Sequence, residues 1–190
     1  SLVGSEMCIR DRVISLIAPI QTMAESVTQN GTIIEPLEQN IEQIIDEITS
    51  EPRPINSDAI QNVKEYISEY FGNLGYDNIE YQKFEYNDEN NENAIRHSSQ
   101  ADVFLASTAE DAIVDGIGEN IIVTKNSSID TTKNLIISAH YDSAEDSVGA
   151  NDNGSGVAAV LELARILKDT EMPYNVKFIL FSGEEKYMLG

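Results

Sequence analysis

The chain has 190 residues, enough for one domain with a hydrophobic core of its own. Acids outnumber bases 33 to 12, and the net charge of −21 excludes nucleic acid and anionic membrane surfaces as partners. No apolar run approaches the length of a membrane span, and the single cysteine, Cys8, excludes an internal disulfide.

Residues 2–12 (LVGSEMCIRDR) have neither helical nor strand periodicity. They resemble a translated sequencing-library adapter, which places the true start upstream. The apolar stretch 13–20 (VISLIAPI), followed by Thr22-Met23-Ala24, reads as the tail of a secretion signal, or else as a short apolar segment packed on the domain. On the first reading the protein is secreted or periplasmic, 13–35 is a leader, and the folded domain covers 36–190. Leu37, Ile41, Ile44, Ile45 and Ile48 recur at helical spacing, and Pro52 and Pro54 stop that helix. Ser57-Asp58 predicts the N-cap of a second helix with Ile60, Val63, Ile67, Phe71 and Leu74 on one side, closed by Gly75. Residues 78–86 (NIEYQKFEY) alternate as a strand does. The polar, aperiodic 87–100 predicts a surface loop in which His97 is solvated rather than a ligand. Strands are predicted at 103–106 and 121–124, flanking a turn at Gly116–Gly118.

Leu135-Ile136-Ile137 is too short for a helix and predicts a strand buried on both faces, ending in His140-Tyr141-Asp142. A loop of small and acidic residues then brings Asp152 to Gly154-Ser155-Gly156. There a helix begins (157–167, VAAVLELARIL) that is apolar on nearly all sides and therefore buried. A further strand, 176–181, ends in Gly183-Glu184-Glu185. His140, Asp152, Glu184 and Glu185 all follow the carboxyl end of a strand, the edge where open α/β sheets bind ligands.

These four residues are one imidazole and three carboxylates, with no Lys or Arg among them. Converging acids repel each other unless protonated or bound to a cation, and this donor set suits zinc or a similar divalent ion. The two oxygens of Asp152 suit a bridge between metals about 3.5 Å apart. Of the adjacent Glu184 and Glu185, one can ligate while the other faces a metal-bound water. A phosphate-binding loop is the rival reading, but GANDNGSG lacks the lysine of a P-loop and the spacing of GxGxxG. Asp146 and Asp152 would also repel phosphate. The glycosylation triplets at Asn30, Asn126 and Asn153 are discounted, because the pattern is common by chance and the third lies inside the metal motif.

AHYDS, then GANDNGSGVAAVLELARIL, then FILFSGEEKYMLG, in this order, resemble peptidase family M28, the co-catalytic dizinc aminopeptidases. The resemblance implies a three-layer α/β/α zinc-peptidase fold with a mostly parallel mixed sheet, whose C-terminal half lies beyond Gly190. It implies His140 as ligand of one Zn2+, Asp152 as the bridge, Glu185 as ligand of the other Zn2+, and Glu184 as general base. Asp142 takes the place of the acid that orients the histidine. A cis peptide bond is implied between Asp152 and Asn153. An aspartate and a histidine ligand are expected downstream of Gly190, so the chain as given is expected to be inactive and the full-length chain to hold two zinc ions. The implied activity is removal of the N-terminal residue from peptide substrates. A related dizinc carboxypeptidase or amidohydrolase is one alternative and a non-catalytic binding relative another. The AHYDS and Asp152-Asn153-Gly154 stretches look more like the aminopeptidase branch.

Overall fold

A computed structural model of the chain describes residues 28–29, 32–33, 36–86, 116–186 and 188–190. The adapter-like 2–12, the apolar 13–20, Thr22–Ala24, the loop 87–100 with His97, and the strand expected at 103–106 lie outside the described residues. Two short strands, β1 (Thr28–Gln29) and β2 (Thr32–Ile33), pair antiparallel. In α1 (Glu38–Ile48) the periodic face Ile41, Ile44, Ile45 and Ile48 is buried, as the spacing predicts. Leu37 departs from that expectation: it caps the helix, is 53% exposed, and donates its amide to Glu162 Oε1 at 2.8 Å. An amide at a helix start has no intrahelical acceptor, so an acid from elsewhere satisfies it.

Helix α2 (Asp58–Asn73) starts where Ser57 Oγ accepts from Ile60 N at 3.1 Å. It ends at Gly75, whose φ of +80° lets the chain fold back. Gly75 N donates to Gly72 O (2.8 Å) and Tyr76 N to Phe71 O (3.0 Å), and the Tyr76 ring meets the Phe71 ring edge-on.

Strands β3 (Ile79–Tyr86), β4 (Gly116–Lys125), β5 (Asn134–His140) and β6 (Asn175–Phe181) form a mixed sheet in the order β3–β4–β6–β5. The β5–β6 pair is parallel and the other two are antiparallel, so among the described strands antiparallel pairing prevails. The turn expected at Gly116–Gly118 is instead the start of β4. Gly118 and Gly116 lie opposite Phe84 and Tyr86, and a Cβ on Gly118 would come within 2.1 Å of the Phe84 ring. Here glycine makes room for an aromatic ring rather than bending the chain.

Helices α1, α2 and α3 (Ser155–Leu167) share one core with Ile121, Val123, Val176, Phe178 and Leu180 of the sheet. The expectation that Leu135–Ile137 is buried on both faces does not hold, since Leu135 is 38% and Ile136 59% exposed. Among the described strands β5 is an edge, and of its apolar residues only Ile137 and Ala139 pack on the core. Glu162 is the exception in the apolar α3. It is fully buried, and its carboxylate accepts from Leu37 N, Asn40 Nδ2 and Arg165 Nη2, joining α1 to α3. No helix among the described residues is long and apolar enough to cross a membrane.

Candidate metal centre

Parallel pairing sets His140 opposite Phe181, so β5 and β6 finish at the same sheet edge and both following segments leave from it. Asp142, 1% exposed, joins those segments. Its Oδ1 accepts from Glu184 N at 3.2 Å and its Oδ2 from Glu185 N at 3.0 Å. The turn that delivers these amides uses Gly183 at φ +78°. Asp142 therefore holds the main chain of the Glu184–Glu185 pair, beyond the histidine-orienting place implied by the resemblance.

His140 is 8% exposed. Its Nε2 lies 3.0 Å from Asp152 Oδ1 and 3.8 Å from Glu184 Oε2, while Nδ1 faces Asp142 Oδ1 at 3.4 Å. The last contact is electrostatic rather than a formed hydrogen bond, since Nδ1 is buried without a hydrogen-bond partner. Asp152 stands on the wide turn Ala150–Gly154, closed by Gly154 N on Gly149 O at 2.8 Å. Asn153 Oδ1 accepts from Gly156 N at 3.0 Å and so caps the start of α3. The Asp152–Asn153 peptide bond is cis, as the resemblance implied. All five residues singled out in the sequence thus meet at one edge. Donor atoms of His140, Glu184 and Glu185 lie within 4.8 Å of one another, and Asp152, its side chain 76% exposed, joins them through His140. A cavity of about 290 Å3 lies nearby against Tyr141 and Ser182, and none of the five residues lines it.

One residue of the site was missed in the sequence. Arg53 is fully buried beneath the loop that links β5 to α3, and its charge acts on Asp142 and Glu185. The absence of Lys or Arg within the motifs is therefore corrected by a cation brought in from the segment between α1 and α2. The available signal was an arginine held between Pro52 and Pro54 in a strongly acidic chain.

Burial disfavours charge on His140, but Asp142, Asp152 and Glu184 outweigh it and raise the imidazole to about 9. Burial and the carboxylates of Asp152, Glu184 and Asp142 push Glu185 up, with His140 opposing. An imidazole and three carboxylates that repel one another fit a divalent cation. The facing of Nδ1 toward Asp142 leaves Nε2 as the ligand atom. In the metal-free chain, stability should fall with rising pH. The folded imidazole titrates near 9 against 6.5 for a free one, so its contribution is full below 6.5 and lost as pH rises through about 9. Denaturant midpoints of chelator-treated protein across that window check this, with His140→Asn as control; a flat profile in the unsubstituted chain contradicts it.

Residues 120–190 match the sequence profile of peptidase family M28. This segment belongs to peptidase family M28. The M28 segment carries every one of the five site residues. The chain is 41% identical over 80 residues to aminopeptidase YwaD of Bacillus subtilis, covering 42% of this chain and 18% of that protein. It is 31% identical over 148 residues to a vacuolar membrane protease of Schizosaccharomyces japonicus, covering 77% of this chain and 16% of that one. The chain thus spans less than a fifth of the length of these relatives. Its fold is shared with BSAP, a zinc aminopeptidase from Bacillus subtilis (TM-score 0.61, 17% identity, 77% of this chain and 62% of that one). A glutaminyl cyclase of Porphyromonas gingivalis shares it as well (TM-score 0.60, 18% identity, 82% and 48%).

Proposed function

We propose that the protein is a zinc-dependent aminopeptidase, with His140, Asp152 and Glu185 as ligands of a two-zinc centre and Glu184 as general base. The observation that carries this reading is the meeting of His140, Glu184 and Glu185 donor atoms within 4.8 Å at the sheet edge, with Asp152 3.0 Å from His140. Zinc, when bound, supplies Lewis-acid polarisation of a carbonyl and acidifies water. Glu184, its side chain 41% exposed, is free to take a proton from water and return it to the leaving amine. Asp142 fixes the main chain from which Glu184 and Glu185 project, so the base cannot drift from the ligands. The free amine of a peptide would meet a surrounding of carboxylates, which favours an N-terminal substrate over a C-terminal one. The similarity to aminopeptidase YwaD supports the same choice.

The test is hydrolysis of an aminoacyl anilide by the complete protein, before and after zinc removal. Release of the aniline that stops with chelation and returns with zinc is expected, and an N-acetylated substrate should remain intact. Equal cleavage of the blocked substrate, or removal of C-terminal residues, would turn the assignment to the carboxypeptidase or amidohydrolase alternative. The likeness to a glutaminyl cyclase supports a second reading, in which an N-terminal glutamine is cyclised. Ammonia release from a glutaminyl peptide, as the N-terminal amine displaces the side-chain amide nitrogen with every peptide bond left intact, distinguishes it.

A further inference from the structure

We infer that Arg53 is a positioning residue for the metal centre, fastening both ends of the loop 141–149 and thereby setting where Asp142 and Asp152 stand. The inference rests on the metal-site reading above and adds a residue that reading does not use. Arg53 is 0% exposed, and its main chain is pinned to the loop: Arg53 N donates to Ser143 Oγ at 2.9 Å and Ser143 N donates to Arg53 O at 3.2 Å. Pro52 and Pro54 restrict the backbone on either side.

The guanidinium reaches two separate points of the loop. Nε donates to the carbonyl of Tyr141, just before Asp142, at 2.7 Å. Nη2 donates to Gly149 O at 3.1 Å and Nη1 to Val148 O. Gly149 O also receives Gly154 N at 2.8 Å, so one carbonyl links Arg53 to the turn that carries Asp152. The packing there leaves no slack. A Cβ on Gly149 would stand 2.5 Å from Asp152 O, 2.7 Å from Ser143 Cβ and 3.3 Å from Arg53 Nη2.

Among the described residues the side-chain acceptors of Arg53 are main-chain carbonyls, so its desolvated charge acts on loop geometry rather than in a direct ion pair. A buried cation is costly unless its donors are used. A planar fork can serve carbonyls at both loop ends at once, whereas the point charge of lysine cannot. That difference separates a positioning role from simple filling of the core.

Cobalt(II) titration of the metal-free full chain, followed by visible absorption, tests the inference alongside hydrogen exchange at the Gly149 and Gly154 amides. Arg53→Lys should weaken cobalt binding by about tenfold or more and speed exchange at both amides, with exchange in α2 unchanged. Ser143→Ala removes the acceptor of Arg53 N together with the Ser143 Oγ bond to Ser147 O (2.8 Å), while Ser143 N still donates to Arg53 O, and it should move both readouts the same way by less. Either variant, folded and with the cobalt affinity and loop protection of the unsubstituted chain, overturns the inference. Should Arg53→Lys fail to fold, Ser143→Ala carries the same test. An unsubstituted chain that binds no cobalt overturns the metal reading instead, and loop exchange in the variants still decides whether Arg53 clamps the loop.

Discussion

Glu184→Gln is expected to lower turnover of the complete protein by about two orders of magnitude or more while metal content stays unchanged. The amide keeps the shape and length of the glutamate, so the hydrogen bond from Glu184 N to Asp142 and the turn at Gly183 persist. What is lost is a carboxylate able to accept a proton. In the proposed assignment Glu184 is not a ligand, so zinc analysis of the variant should match the parent. Glu185→Gln is the contrasting variant, because replacing a ligand lowers metal content along with activity. The structure sharpens this contrast, since Glu184 Oε2 lies 3.8 Å from His140 Nε2 and both glutamates contribute to the group of converging donors. Loss of metal from Glu184→Gln with Glu185→Gln unaffected would exchange the two roles. Near-parent turnover in Glu184→Gln would remove it from proton transfer altogether.

Asp142→Asn should weaken metal binding by about 10- to 100-fold and destabilise the metal-free fold by about 1–3 kcal/mol. Asp142 is 1% exposed, and each of its oxygens accepts one amide, from Glu184 and from Glu185. Asparagine puts an NH2 group against one of those amides, leaving two donors facing each other in a place water does not reach. It also removes the negative charge that faces His140 Nδ1 at 3.4 Å and that Arg53 feels from below. The measurements are zinc competition with a chelator and denaturant unfolding of the chelated protein. Hydrogen exchange at the Glu184 and Glu185 amides separates two roles for Asp142. Faster exchange follows if it holds the glutamate pair, whereas unchanged exchange with altered imidazole signals would confine it to orienting His140.

Much of this molecule follows from sequence on its own, wherever the physics is local. The isoleucines of α1, the Ser57 cap and the Gly75 close of α2, and the existence of strand β3 each depend on neighbours within a few turns of chain, although the burial of β3 does not alternate as its sequence does. The four metal-type side chains were equally legible, because each follows a strand end, and strand ends in α/β sheets gather at one edge. What only the tertiary structure decided depends on partners far along the chain. Gly116 and Gly118 carry the local signature of a turn, yet they lie in a strand because Tyr86 and Phe84 of β3 cover them. Leu135 and Ile136 have the composition of a doubly buried strand, but burial depends on which layers cover each face, and nothing in three apolar residues encodes that. Asp142 binds the Glu184 and Glu185 amides because parallel pairing of β5 with β6 aligns their ends, a register no single segment carries. Arg53 is the extreme case. Its hydrogen bonds run to Tyr141, Val148 and Gly149, all in a distant segment, and an arginine between two prolines looks the same in sequence whether solvent or a metal loop receives it. Only the packing of α1, α2 and the sheet around one core brings that charge under the acids, where desolvation makes every one of its donors count.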